Sequence, residues 1–142
     1  MEKLKRVGAQ LATVDDIEQV LTMIRDLSQW LKTKGIQQWS DAFPRDVLER
    51  EISRDELFVL RDGDKVIASV ALSTKAGELW NSTNDNALYL HRLTVLRSRA
   101  GEKIGQGMMA WAEDESKRKG ASLLRLVCDA NNPFLSSYYK VL

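Results

Sequence analysis

Residues 87–128 constrain the fold most, because a strand, a glycine-containing turn, a helix and a second strand are predicted there in uninterrupted order. Residues 87–95 alternate as in a strand, and both faces are largely apolar, which is typical of a central strand. The next helix is predicted from about 105 to 119, with Gly120 as its stop, and the next strand over 122–128. This order predicts a βαβ unit.

Strict alternation in the central strand predicts two faces. Tyr89, His91, Leu93 and Val95 would share one face, and Leu88, Leu90, Arg92 and Thr94 the other. His91 is then expected to lie on the same face of the strand as Leu93 and Val95.

The residues before this unit predict helices followed by a hairpin. A strand is expected over 7–11, and Thr13 with Asp16 three residues later predicts the start of a helix over 14–34. Pro44 suits the first turn of a second, shorter helix that ends near Arg54. Two further strands, 57–60 and 65–72, flank the hairpin-turn residues Asp62 and Gly63, and residues 73–86 are predicted to form a polar loop.

The length and composition exclude several classes of protein. A chain of 142 residues fits one domain, 1–142, and its formal net charge of +1 does not favour a nucleic-acid partner. One cysteine and one histidine exclude an internal disulfide and a Cys/His zinc site, so a reducing, cytoplasmic setting without a bound metal is expected. No stretch has the length of a membrane span or the apolar region of a signal peptide.

The turn between the central strand and the helix is the strongest functional signal. Gly101, Gly105 and Gly107 allow backbone N–H groups to converge at the start of a helix, where the helix dipole adds positive potential. This arrangement suits a pyrophosphate. The same glycines also suit a turn in which they only relieve crowding.

Residues 87–142 resemble the core of the GNAT superfamily of N-acetyltransferases. The similarity runs from Leu-Tyr-Leu-His-Arg-Leu-Thr-Val through the glycine turn to Cys-Asp-Ala-Asn-Asn-Pro-Phe-Leu-Ser-Ser-Tyr-Tyr-Lys-Val-Leu, and it extends upstream to the segment Trp-Leu-Lys-Thr-Lys-Gly-Ile-Gln-Gln-Trp at 30–39. The resemblance implies a single α/β domain of the GNAT fold, with a mixed, mostly antiparallel sheet flanked by helices. It also implies transfer of an acetyl group from acetyl-CoA to the primary amine of a small molecule or peptide.

The family's phosphate loop, Q/R-x-x-G-x-G/A, corresponds to residues 100–105 of this chain. Ala100 replaces the first Gln or Arg, Lys103 replaces the first glycine, and Gly105 is kept. The Cβ of Lys103 is expected to resist a left-handed backbone, while its ammonium group, with Arg97 and Arg99 nearby, is expected to attract phosphate. An ordinary solvated surface charge is the alternative for each of these three basic residues.

The resemblance also assigns individual roles. Tyr139 would protonate the leaving CoA thiolate, and His91 is a candidate general base, since the ordinary imidazole pKa of about 6.5 suits that role. A structural histidine and an ordered water path remain alternatives to His91. Asn132 would contact the cofactor arm while capping a C-terminal helix. The predicted cofactor-binding residues are Leu93, Thr94, Val95, Ala100, Gly101, Glu102, Lys103, Ile104, Gly105, Gln106 and Asn132.

Other residues carry weaker expectations. Trp30, Trp39, Trp80 and Phe43 belong to segments that border the acceptor side in the family, or else to the core. Cys128, at the end of an apolar strand, is expected to be a small buried residue rather than a nucleophile.

The chain ends inside the last predicted helix, before the strands that complete the sheet in the family. The sheet edge left open predicts lower stability and association, by dimerisation, strand exchange or aggregation. Together with Ala100 and Lys103, this favours as an alternative function a CoA-binding or regulatory module without catalysis. An interaction protein without any cofactor is the third alternative.

Overall fold

The computed structural model describes residues 8–35, 43–73, 87–121 and 123–126. Three helices and five strands lie in these ranges. In chain order they are β1 (Gln10–Leu11), α1 (Ile17–Thr33), α2 (Arg45–Ser53), β2 (Leu57–Asp62), β3 (Lys65–Ser73), β4 (Ala87–Val95), α3 (Ile104–Arg118) and β5 (Leu123–Leu126). Short 3₁₀ turns at Val14–Asp16 and Arg97–Arg99 precede α1 and α3.

The five strands form one sheet in the order β1-β2-β3-β4-β5. The first three neighbouring pairs are antiparallel, and β4 pairs with β5 in parallel. The parallel pair is joined through α3, as the predicted βαβ unit requires. The predicted mixed, mostly antiparallel α/β sheet flanked by helices is therefore confirmed.

Helix α1 starts three residues later than the sequence predicts. The Asp16 carboxylate accepts a hydrogen bond from the Thr13 backbone N–H at 2.8 Å, so the predicted pairing of these residues is present. Residues Val14–Asp16 form a 3₁₀ turn first, and the α-helix begins at Ile17. At the other end, Gly35 has a φ of +75°, as a left-handed position just after a helix favours.

The sheet separates two apolar clusters. On one face, α3 packs against β2, β3 and β4; the buried residues of this cluster are Phe58, Ile67, Ala68, Val70, Leu72, Leu90, Leu93, Ile104, Met108, Met109 and Ala112. On the other face, α1 and α2 cover β2 and β3; the buried residues there are Ala12, Ile17, Val20, Met23, Ile24, Leu48, Leu57, Val59 and Val66. Apolar residues on both sides of β2 and β3 explain why these strands lie inside the molecule.

A β-bulge in β4 overturns one prediction. Ala71 pairs with His91 and Ser69 pairs with Thr94, so β4 carries one residue more than β3 between these points. Arg92 and Leu93 lie between these two pairs in β4, where β3 has only one residue. Arg92 has a left-handed backbone, with a φ of +50°. His91 and Thr94 therefore share a face. The expectation that His91 shares a face with Leu93 and Val95 is wrong, because the bulge reverses the alternation between them.

Smaller differences occur at element ends. Pro44 lies immediately before α2 rather than in its first turn, and the described part of the first strand is only Gln10–Leu11. The segments that contain Trp39, Trp80, Cys128, Asn132 and Tyr139 lie outside the described residues. Across the described ranges, no helix is both long enough and apolar enough to span a membrane.

Candidate functional site

The connection from β4 to α3 is a glycine-containing turn in which the N–H groups of Arg99, Ala100 and Glu102 donate to carbonyls of the turn itself. The Leu96 N–H donates to the Ile67 carbonyl at 2.8 Å, which holds the end of β4 against β3. The chain then passes through the turn Arg97–Arg99 and through Gly101, whose φ is +90°. Only glycine adopts such a backbone without strain. The buried Ile104 then packs in the α3 cluster and holds the start of the helix in place.

The N–H groups at the start of α3 can receive an anion. The first helical bond of α3 runs from the Gly107 N–H to the Lys103 carbonyl at 3.1 Å. The N–H groups of Ile104, Gly105 and Gln106 therefore precede the helical ladder and have no acceptor within it. Together with the helix dipole, they favour a negatively charged group at this end of α3. The structure thus places the predicted residues 100–106 at a helix N-terminus.

Lys103 adopts the left-handed backbone that its Cβ was expected to resist, with φ +63° and ψ +22°. This conformation costs a residue other than glycine roughly 1–2 kcal/mol. The Lys103 side chain is exposed, and its ammonium group makes no ion pair with the described part of the chain. Lys103 therefore has the left-handed conformation that a glycine would adopt at this position, and it does so with local strain.

Lys103→Gly is expected to raise the free energy of unfolding by about 0.5–1 kcal/mol. Relief of the left-handed strain exceeds the extra chain entropy that glycine gives the unfolded state. Urea unfolding of both proteins measures the difference. Lys32→Gly, at a right-handed position in the last turn of α1, is the matched control and should lose about 1 kcal/mol. A loss at both positions would show that residue 103 is not strained.

The arginines near the loop have protein partners. Arg99 donates to Asp62 at 2.8 Å and to Glu102 at 2.9 Å, and these hydrogen bonds, that to Glu102 first, raise the pKa of Arg99. The Arg97 guanidinium carbon lies 3.9 Å from the ring centroid of Trp30. Arg99 therefore fastens the loop to the end of β2, and Arg97 fastens it to α1. The expectation that both arginines attract phosphate is not supported by these contacts.

The last three residues of β4 are Leu93, Thr94 and Val95, which were predicted to bind the cofactor. The described pairing of β4 with β5 runs from Ala87 with Leu123 to Leu90 with Leu126. Leu93, Thr94 and Val95 follow that last pair along the strand. The Thr94 hydroxyl is buried and donates to the Arg92 carbonyl at 3.0 Å, which holds the bulge in shape. Contacts of these three residues with a cofactor remain a prediction.

A cavity of about 510 Å³ lies beside His91 on the face of the sheet that carries α2. Its described lining consists of Val47, Arg50, Glu51, Arg54, Glu56, Ser73 and His91. The Ser73 hydroxyl and His91 Nε2 share a hydrogen bond of 2.8 Å, which orients the imidazole. Burial raises the pKa of Glu56, and the nearby charge of Arg54 acts in the opposite direction. The cavity therefore holds groups that can exchange protons.

An ion pair between Glu51 and Arg92 joins α2 to the bulge. Both side chains are largely buried, with exposed fractions of 17% and 11%. The Arg92 guanidinium also lies 4.9 Å from the ring centroid of Phe43. The second carboxylate oxygen of Glu51, Oε1, is buried and has no hydrogen-bond partner among the described residues. This pair fixes the bulge that turns His91 towards the cavity.

The sequence did not single out most of the cavity lining. Arg50, Glu51 and Arg54 belong to the polar side of a short helix, and Ser73 and Glu56 lie at strand ends. No motif connects them. The spacing of Val47, Arg50, Glu51 and Arg54 along α2, by three or four residues, is the one local sign that they share a face.

Comparisons with known proteins agree with this architecture. The model of the Acetyltransferase (GNAT) family matches residues 24–142. The uncharacterized N-acetyltransferase YesJ of Bacillus subtilis is 28% identical over 138 residues, covering 91% of this chain and 76% of its own length. The aminoalkylphosphonate N-acetyltransferase of Salmonella typhimurium is 29% identical over 136 residues, covering 91% of this chain and 82% of its own length.

Solved structures show the same fold. A GNAT-family acetyltransferase from Listeria monocytogenes superposes with a TM-score of 0.79 at 23% identity, covering 94% of this chain and 83% of the other. The PaiA N-acetyltransferase from Thermoplasma acidophilum, solved with coenzyme A, superposes with a TM-score of 0.70 at 23% identity, covering 94% and 87%. At this level of identity the similarity concerns the fold alone.

Proposed function

Because the chain belongs to the GNAT acetyltransferase family, we propose that it transfers the acetyl group of acetyl-CoA to a primary amine by direct attack in a ternary complex. The turn between β4 and α3, followed by three N–H groups that have no acceptor within the helix, is the observation that carries this proposal. Its N–H groups and its left-handed backbone at Gly101 and Lys103 fit the pyrophosphate of the cofactor. The amine named for one relative, an aminoalkylphosphonate, supports an amine as acceptor.

The predicted cofactor residues divide the binding between them. We assign the pyrophosphate to the backbone of residues 100–106, and the amides of the cofactor arm to the backbone of Leu93, Thr94 and Val95. Asn132 would contact the same arm. When bound, the cofactor supplies an activated acetyl group as a thioester. A strand N–H near Leu93 or Val95 would polarise the thioester carbonyl oxygen as charge develops there.

Proton transfer completes the reaction. An amine attacks only after its ammonium form has lost a proton, because the protonated nitrogen has no lone pair. His91 accepts that proton, directly or through the Ser73 hydroxyl, since the two side chains share a hydrogen bond and both line the cavity. As the new C–N bond forms and the C–S bond breaks, Tyr139 would donate its phenolic proton to the leaving thiolate. The acetylated nitrogen would lose its extra proton to solvent, from which the Tyr139 phenolate would be reprotonated.

Calorimetric titration with acetyl-CoA and CoA, followed by acetylation assays on a panel of amines, tests the proposal. Micromolar binding, turnover on at least one amine and loss of turnover in Tyr139→Phe are expected. Binding without turnover on a broad panel would favour the alternative, a CoA-binding module without catalysis. The absence of binding to folded protein would contradict both.

A further inference from the structure

The cavity beside His91 has two chemically different sides. The sheet contributes Ser73 and His91, with Glu56 at the start of β2, and these groups accept or share protons. Helix α2 contributes Arg50 and, just after its last turn, Arg54. Arginine is the side chain best suited to bind a planar or tetrahedral anion, since its N–H groups form a rigid fork.

The arginines on the α2 side form no ion pair with the acids of the cavity lining, although the charge of Arg54 acts on the nearby Glu56 carboxyl. Glu51, the acid of α2 that lines it, is already paired with Arg92. Arg50 lies 3.5 Å from Asp46, and both side chains are mostly exposed, so solvent weakens that pair. Arg54 makes no ion pair within the described residues. Two guanidinium groups are thus available at one side of a cavity whose other side holds the proposed base.

We propose that the acceptor is a small amine that also carries an anionic group, a carboxylate or a phosphonate, which Arg54 and Arg50 bind while the amine faces His91. This proposal rests on the proposed function and adds the substrate class to it. A cavity of about 510 Å³ has the size of sites that take small molecules.

The same arginines discriminate against other amines. An acceptor with several cationic groups and no anion would meet two guanidinium charges that repel it. An uncharged alkyl chain would form no charge-assisted hydrogen bond with the arginines. The preference for an anionic amine therefore has an attractive and a repulsive part.

Three acceptors of matched length test the proposal with the full chain: propylamine, β-alanine and 2-aminoethylphosphonate. We expect kcat/KM for at least one of the anionic amines to exceed that for propylamine by about tenfold or more, and Arg54→Gln to reduce this ratio by about tenfold. Arg54→Lys should restore part of the ratio, since it keeps the charge. Arg25→Gln, on the exposed side of α1, is the matched control and should leave the ratio unchanged.

Each possible outcome either supports the proposed anion site or contradicts it. Equal kcat/KM for the three acceptors, or an equal loss for all of them in Arg54→Gln, would overturn it while the acetyltransferase function stands. If neither these three acceptors nor the broad panel of amines is acetylated, the acetyltransferase function fails, and calorimetry of 2-aminoethylphosphonate and β-alanine with the CoA-saturated protein then decides whether the anion site exists. Binding that Arg54→Gln weakens about tenfold would support the anion site, and absence of binding to the unaltered protein would overturn it.

Discussion

Glu51→Ala is expected to lower the free energy of unfolding by about 3 kcal/mol, one of the two largest effects that a single substitution described here should have. The change leaves the Arg92 guanidinium largely buried, with an exposed fraction of 11%, and without its carboxylate partner. The stacking of Arg92 on Phe43 remains but does not replace a charge-assisted hydrogen bond. Arg92 also has a left-handed backbone, so the pair holds a strained residue in place.

Chemical unfolding with matched variants measures this effect. Glu49→Ala removes an exposed acid from the same helix, 3.6 Å from Arg45, and should change stability by less than about 0.5 kcal/mol. Arg92→Met in the Glu51→Ala background should recover stability, because no buried charge is then left unpaired. Similar small losses for Glu51→Ala and Glu49→Ala would show that the pair contributes little.

His91→Ala is expected to reduce kcat about 100-fold, within the range that general bases contribute. The imidazole is held by the Ser73 hydroxyl at 2.8 Å and lines the cavity assigned to the acceptor. Without it, the ammonium proton must leave through solvent or through a weaker base. The calorimetric dissociation constant for CoA should change little, since the turn proposed to bind the pyrophosphate begins only after β4.

A second substitution separates base catalysis from packing. His91→Gln keeps a polar side chain of similar length that can bond to Ser73, but it accepts no proton, so its kcat should fall as far as that of His91→Ala. The pH profile of kcat/KM should also lose the limb that the histidine controls. A kcat within threefold of the unaltered protein in both variants would assign the proton to another group, with Glu56 the first candidate because burial raises its pKa.

Elements set by local pattern were predictable from the sequence. The central strand was expected at residues 87–95 and lies at Ala87–Val95, and the hairpin at Gly63 follows from its turn residues. Helix α3 was expected from about residue 105 and begins at Ile104. Periodicity and turn chemistry act over a few residues, so the chain itself displays them.

Features that depend on distant residues were not predictable in this way. Arg92 in the bulge is paired with Glu51, 41 positions earlier, and no alternation pattern reveals such a partner. The cavity forms where α2 meets the ends of β2, β3 and β4, so its lining becomes visible only once these elements are packed. The left-handed backbone of Lys103 contradicts residue preference, because the loop and the buried Ile104 set its conformation.

The bulge divides β4 into two segments whose side-chain alternation is shifted by one residue relative to each other. A chimera that takes residues up to 91 from one relative and the remainder from another will function only if both parents have the bulge residue at the same position in β4. A one-residue insertion after Arg92 would bring Leu93 into the phase of the cavity face and remove it from the α3 cluster. Deletion of Arg92 itself would instead remove the bulge and keep both faces. Insertions in β4 should therefore be tolerated far less than in the β2–β3 turn, although both segments look equally regular in the printed sequence.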